Sequence, residues 1–137
     1  MTLPCPDPIV YPALTRTDLV VYAGASGDFN PLHHDPRRAA EAGLPDVMAH
    51  GMLSAGLMAS ALTKWFGAGS VAGYAVRFRS PVWPGDMLSA HCRRLEIRPA
   101  AGGGRMACAE IELVRANGDV VLTGTARLTG SVLASPS

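Results

Sequence analysis

The stretch Gly51-Met-Leu-Ser-Ala-Gly-Leu-Met-Ala-Ser-Ala-Leu-Thr-Lys-Trp-Phe66 reads as a helix that is apolar or small on almost every face. A helix without a polar side has no place on a surface, so this one belongs in the middle of the fold. Gly56, Ala59 and Ser60 let other backbones approach it closely, and Gly67 and Gly69 close it. It is not a membrane span: the uncharged run from Val47 to Thr63 is short, rich in small residues, contains His50 and stops at Lys64. Something must therefore wrap it. After residue 70 the pattern turns strand-like, with strands expected over Val71–Pro81, Met87–Arg98, Arg105–Arg115 and Val120–Thr129. Trp83-Pro84-Gly85-Asp86, Ala100–Gly104 and Ala116-Asn117-Gly118-Asp119 separate them as turns, and Asn117-Gly118 is a strong hairpin signal. The expected class is α+β, one long buried helix followed by an antiparallel meander that packs around it.

At 137 residues the chain fits one domain, 1–137, with 131–137 as a loose tail. Twelve basic residues against eleven acidic leave a charge of +1, without the basic excess of a nucleic-acid binder. Hydrophobic residues make up 48% and charged ones 17%, enough for a substantial core and poor enough in charge to bury apolar area against a second subunit. Cys5, Cys92 and Cys108 are odd in number and lack metal-ligand spacing, which reads as reduced core thiols of a cytosolic protein. The start of the chain shows no secretory signal. Residues 1–14 hold four of the eleven prolines and form an extended lead-in. Thr15 caps a helix, with Asp18 three residues on; Leu19 to Ala23 carry it until Gly24 and Gly27 weaken it. Asp35-Pro36 opens a short helix that Gly43 ends.

Asp28 and His33 lead the candidates for chemistry. They lie five residues apart in Ser26-Gly27-Asp28-Phe29-Asn30-Pro31-Leu32-His33, a loop that Pro31 stiffens. A carboxylate and an imidazole held about one water apart suit general acid–base work on that water. The alternative is that Asp28 and Asn30 only satisfy turn amides. Gly51 opens the buried helix, whose first-turn N–H groups suit an oxyanion such as an enolate-like thioester oxygen. Ser54, one turn in, is placed to hydrogen-bond a catalytic side chain; otherwise Gly51 merely permits close packing and Ser54 bonds back to its own helix. A metal site from His33, His34, Asp35 and His50 is disfavoured, because adjacent histidines would have to turn the same way. Arg77 and Arg79 alternate with Val76 and Phe78 and so share one strand face, where they meet phosphates or simply solvent. His91 is an ordinary strand residue, Cys92 and Cys108 read as core packing, and Trp65 and Phe66 as core or subunit contact.

These residues resemble the (R)-specific enoyl-CoA hydratases and MaoC-like dehydratases. Ser26-Gly27-Asp28-Phe29-Asn30-Pro31-Leu32-His33 is similar to the family signature of a small residue, Gly-Asp-x-Asn-Pro, an aliphatic residue and His. Ala49-His50-Gly51-Met52 resembles its second hallmark. Val76-Arg77-Phe78 followed by Pro81-Val82-x-Pro84-Gly85-Asp86 resembles its third. The short single-domain members, including the B-type subunit of mycobacterial (3R)-hydroxyacyl-ACP dehydratases, look most similar. The resemblance implies the hot-dog fold, a sheet wrapped around a central helix. It implies a catalytic dyad of Asp28 and His33, a loop braced by Asn30, a dyad oriented by Ser54, and a thioester carbonyl polarised by the Gly51 amide. His50, Arg77 and Arg79 are the expected substrate contacts. The implied reaction adds water reversibly across a trans-2-enoyl thioester of CoA or acyl carrier protein to give the (R)-3-hydroxyacyl product, without cofactor or metal. The implied assembly is a homodimer, or a heterodimer with a catalytically idle paralogue. Two other functions stay open, a hot-dog subunit that binds acyl thioesters without turnover and a thioesterase. Thioesterases on this fold use a carboxylate on the central helix, and Gly51 to Thr63 has none.

Overall fold

The computed structural model describes residues 1–134. The apolar helix α3 spans Gly51–Phe66, with α1 (Arg16–Ser26) and α2 (Pro36–Glu41) before it. The strands are β1 (Ile9–Val10), β2 (Val71–Phe78), β3 (Leu88–Pro99), β4 (Arg105–Arg115) and β5 (Val120–Leu128). They form one antiparallel sheet in the order β1-β3-β4-β5-β2. The helix α3 lies on that sheet and touches β2, β3, β4 and β5, which is the hot-dog arrangement. No helix among the described residues is long and apolar enough to cross a membrane.

Alternation along the strands decides which face meets the helix. On β4, Ala107, Ala109, Ile111 and Leu113 are buried while Cys108, Glu110 and Glu112 face the other way. Small inner residues (Ala90, Ala107, Ala109, Ala126) let the helix settle close, so that Met58 and Leu62 become fully buried. The β4–β5 turn closes through Arg115 N–H to Asp119 O at 2.8 Å, with Gly118 at φ 93° as the Asn-Gly pair requires.

Several expectations change. The helix α3 buries only one stripe, Ser54, Ala55, Met58, Ala61 and Leu62, and leaves Met52 60% exposed, because one sheet covers one side. The helix α1 starts from a full capping box between Thr15 and Asp18 and passes through Gly24 to Ser26, ending where Gly27 turns left-handed at φ 74°. The strand β2 ends at Phe78 rather than Pro81. Val121 O accepts from both Arg79 N–H (2.9 Å) and Ser80 N–H (3.4 Å), which breaks the one-to-one ladder, and Pro81 has no N–H with which to continue it. The lead-in is not free: it runs antiparallel along β3, pairing Ile9 with Ala90. In the expected tail, Gly130–Leu133 makes a 3₁₀ turn whose Val132 and Leu133 pack on the core, while 135–137 lie outside the described residues.

The cysteines also differ from the expected core set. Cys92 is buried, Cys108 is half-buried on the outer face of β4, and Cys5 in the lead-in is exposed. Burial, and then the adjacent Cys5 thiol, push the Cys92 thiol up to about 12, so it stays protonated and unreactive. Iodoacetamide at mildly alkaline pH is therefore expected to alkylate Cys5 in the native protein and Cys92 only after denaturation, as peptide mass mapping would read. Native labelling of Cys92 ahead of Cys5 would contradict this packing.

Candidate active site

The loop between α1 and α2 is built by its own side chains. Past Gly27, Asp28 Oδ1 accepts from Asn30 N–H at 3.2 Å, and Asn30 Oδ1 accepts from Leu32 N–H at 3.1 Å. Pro31–His33 then forms a 3₁₀ turn, with proline in its first turn and Asn30 as its cap. Two bonds tie this turn to the segment that precedes α3: Met48 N–H donates to Leu32 O at 3.0 Å, and His33 Nδ1 meets Met48 O at 2.6 Å.

The second bond settles the chemistry of His33. A carbonyl only accepts, so Nδ1 carries the hydrogen and the neutral ring keeps its lone pair on Nε2. That nitrogen lies 3.7 Å from Asp28 Oδ2. The gap is too wide for a direct hydrogen bond and narrow enough for one water to donate to both acceptors. The His33 side chain is 11% exposed and that of Asp28 52%, so the imidazole is anchored and the carboxylate looks outward.

A cavity of about 380 Å³ is lined by Met48, Ala49, Gly51, Ser54, Phe78 and Arg79 among others. Asp28 and His33 do not line it; the chain linking them to it is Met48, whose carbonyl holds His33. Gly51 opens α3 at the cavity wall, where a Cβ would stand 3.3 Å from the Phe78 ring. Ser54 is buried at the same wall, and among the described residues no hydrogen bond joins it to Asp28 or His33, contrary to the expected orienting role. It lies one turn into α3 on the cavity wall, and the bond that holds the His33 ring comes from Met48. Arg79 sits at the cavity rim with Nε donating to Thr123 Oγ1 at 3.0 Å; Arg77 is exposed and does not line the cavity.

His50 is placed differently from the expected substrate contact. It is 2% exposed and does not line the cavity. Its Nε2 meets Asp28 O at 3.0 Å, and its ring stacks on His33 with centroids 3.8 Å apart. The reason is its position at the N-terminal boundary of α3, where the backbone aims the ring back at the loop instead of into the cavity. No periodicity reports such a back-turned ring.

Asp28, His33 and His50 also bring ligand-type atoms within 4.8 Å of one another. An ion about 2.1 Å from an imidazole nitrogen lies in the plane of that ring. The two rings are 25° from parallel and stacked, so no point at bonding distance lies in both planes, and the cluster as folded does not suit a shared metal. His34 and Asp35 are elsewhere: His34 Nε2 meets Phe29 O, and Asp35 caps α2 through Arg37 and Arg38 N–H.

Known proteins resemble this chain in sequence and in fold. The chain is 40% identical over 86 residues to the 3-hydroxyacyl-thioester dehydratase Y of Mycobacterium tuberculosis, covering 60% of this chain and 30% of that one. It is 36% identical over 83 residues to the (R)-specific enoyl-CoA hydratase of Aeromonas caviae, covering 59% of this chain and 62% of that one. The chain thus spans less than two thirds of either relative's length. The solved (R)-hydratase of A. caviae superimposes with a TM-score of 0.74 at 28% identity, over 93% of this chain and 96% of that chain. The profile of the MaoC like domain matches residues 6–114, which takes in the Asp28–His33 loop, the whole of α3 and the sheet through most of β4, and the chain belongs to that family.

Proposed function

We propose that this chain catalyses the reversible hydration of trans-2-enoyl thioesters to (R)-3-hydroxyacyl thioesters. The observation that carries the reading is the Asp28–His33 pair, with the tautomer of His33 set by Met48 so that a lone pair faces the carboxylate across 3.7 Å. A water donating to both groups gives one proton to His33 Nε2 as its oxygen bonds to C3 of the enoyl chain. The C2–C3 π electrons move into the thioester, leaving charge on its oxygen. Gly51 lines the cavity at the start of α3, and the N-terminal end of that helix suits this oxygen. The proton then passes from the dyad to C2, which restores the thioester and the resting pair. Dehydration runs the same steps backwards. The activities named for the mycobacterial and Aeromonas relatives support this reaction and its (R) product.

The acyl carrier is CoA or acyl carrier protein, and the phosphates of either one fit Arg79 at the cavity rim. Arg79→Ala is expected to raise KM for a CoA thioester about tenfold with kcat little changed, the pattern of a lost uniform binding contact. A fall in kcat at constant KM would move Arg79 out of that role. A second hot-dog subunit, an identical copy or a paralogue, would cover the open edge of β2, where Tyr74 and Phe78 are 38% and 51% exposed. The test of the whole reading is loss of enoyl absorbance with crotonyl-CoA and longer enoyl thioesters on both carriers. Turnover with retained thioester supports it. Release of free thiol, or binding without turnover, would replace it with a thioesterase or a binding subunit.

A further inference from the structure

We propose that His50 is a positioning residue, whose Nε2–H holds Asp28 at its working distance from His33; the role in turnover rests on the reading above, the geometric role does not. Asp28 O only accepts, so His50 Nε2 carries the hydrogen of their 3.0 Å contact. This leaves Nδ1 as a buried nitrogen without a hydrogen-bond partner among the described residues. A polar ring buried with one nitrogen unsatisfied is disfavoured relative to an apolar ring of the same shape. Stacking on His33 and the edge contact to Tyr22, with centroids 4.8 Å apart, are things a phenyl ring does equally well. His50 also stands where helices favour a capping Ser, Thr, Asp or Asn, yet its side chain makes no cap bond. The one thing that histidine does here and phenylalanine cannot is donate to Asp28.

The consequence is geometric. Met48 O fixes His33, and His50, two residues on, fixes the backbone of Asp28. One short segment at the head of α3 therefore holds both dyad members and sets their spacing. Without the His50 donor, the Asp28 main chain keeps, among the described residues, only the bond its N–H donates to Ser26 Oγ, while its half-exposed carboxylate accepts from Asn30 N–H.

Two variants separate the donor from the ring. His50→Phe keeps the disc and removes the donor; His50→Gln places an amide N–H near the Nε2 position and removes the disc. H50F is expected to lose about thirtyfold in kcat on an enoyl thioester with KM changed less than about threefold, since a misplacement of about 1 Å costs on that order. H50Q is expected to recover most of that loss. In crystals of H50F the Asp28 Oδ2 to His33 Nε2 distance is expected to exceed the 3.7 Å seen here. Wild-type kcat in H50F, or H50Q no better than H50F, would overturn the proposal. Should H50F not fold, His50→Asn, too short to reach Asp28, takes its place under the same criteria. An inactive wild type would sink the hydratase reading instead, and the dyad spacing in the variant crystal then decides alone: unchanged spacing overturns the role of His50, and widened spacing upholds it.

Discussion

Asp28→Asn is expected to lower kcat by about a hundredfold or more while KM and melting temperature barely move. The substitution is nearly isosteric. It keeps the oxygen that accepts from Asn30 N–H, so the turn stays closed. What changes is the atom facing His33: an acceptor oxygen becomes an NH₂ donor. An NH₂ would spend its hydrogen on the Nε2 lone pair that the water needs. His33→Ala is expected to do comparable harm by removing the base itself, and the double variant should fall little further than either single one, because the two groups act on one water. Purified variants assayed on crotonyl-CoA with thermal melts alongside give the answer. Near-normal turnover by a folded D28N or H33A protein would end the assignment of the dyad, and with it the proposed reaction.

Much of this site was legible because its determinants are local. Thr15 and Asp18 form the box that their spacing predicts, Asp35 caps α2 ahead of Pro36, and Asn30 closes the turn before Pro31, all within a few residues of chain. The alternation of β4 likewise reports its burial directly, whereas the uniform apolarity of α3 overstates the one stripe that the sheet covers. What escaped the sequence depends on long-range contacts. The strand β1 lies in a proline-rich lead-in and exists because β3 offers it an edge, with Tyr11 N–H bonding Leu88 O at 2.9 Å. The end of β2 at Phe78 follows from the Arg79 and Ser80 amides competing for Val121 O, an acceptor far along the chain. His50 is expected as a substrate contact, but its side chain bonds a loop 22 residues back. The bond that sets the tautomer of His33 comes from Met48 O, a carbonyl that no side-chain pattern reveals.

The largest effect on stability is expected not in the site but at Gly124, on the inner face of β5. A Cβ there would stand 2.3 Å from the carbonyl oxygen of Ala75 and 3.2 Å from Val76 Cγ1. A flexible side chain can give way; a backbone carbonyl inside a strand ladder cannot move without carrying its strand along. Gly124→Ala should therefore push β2 off β5 over the stretch that pairs Tyr74–Phe78 with Leu122–Ala126. The expected cost is about 3 kcal/mol, the upper end for overpacking, or roughly 10 °C in melting temperature for a domain of this size. Activity should fall with it, because β2 carries Phe78 against Gly51 at the cavity wall. The matching control is Gly24→Ala in α1, where a Cβ meets nothing within 4 Å. Relief of the glycine penalty in a helix interior should stabilise that variant by about 0.5–1 kcal/mol and leave turnover untouched. If G124A melts with the wild type, the close approach of β2 to β5 is not a property of the folded protein, and the wall that β2 supplies to the cavity must be drawn differently.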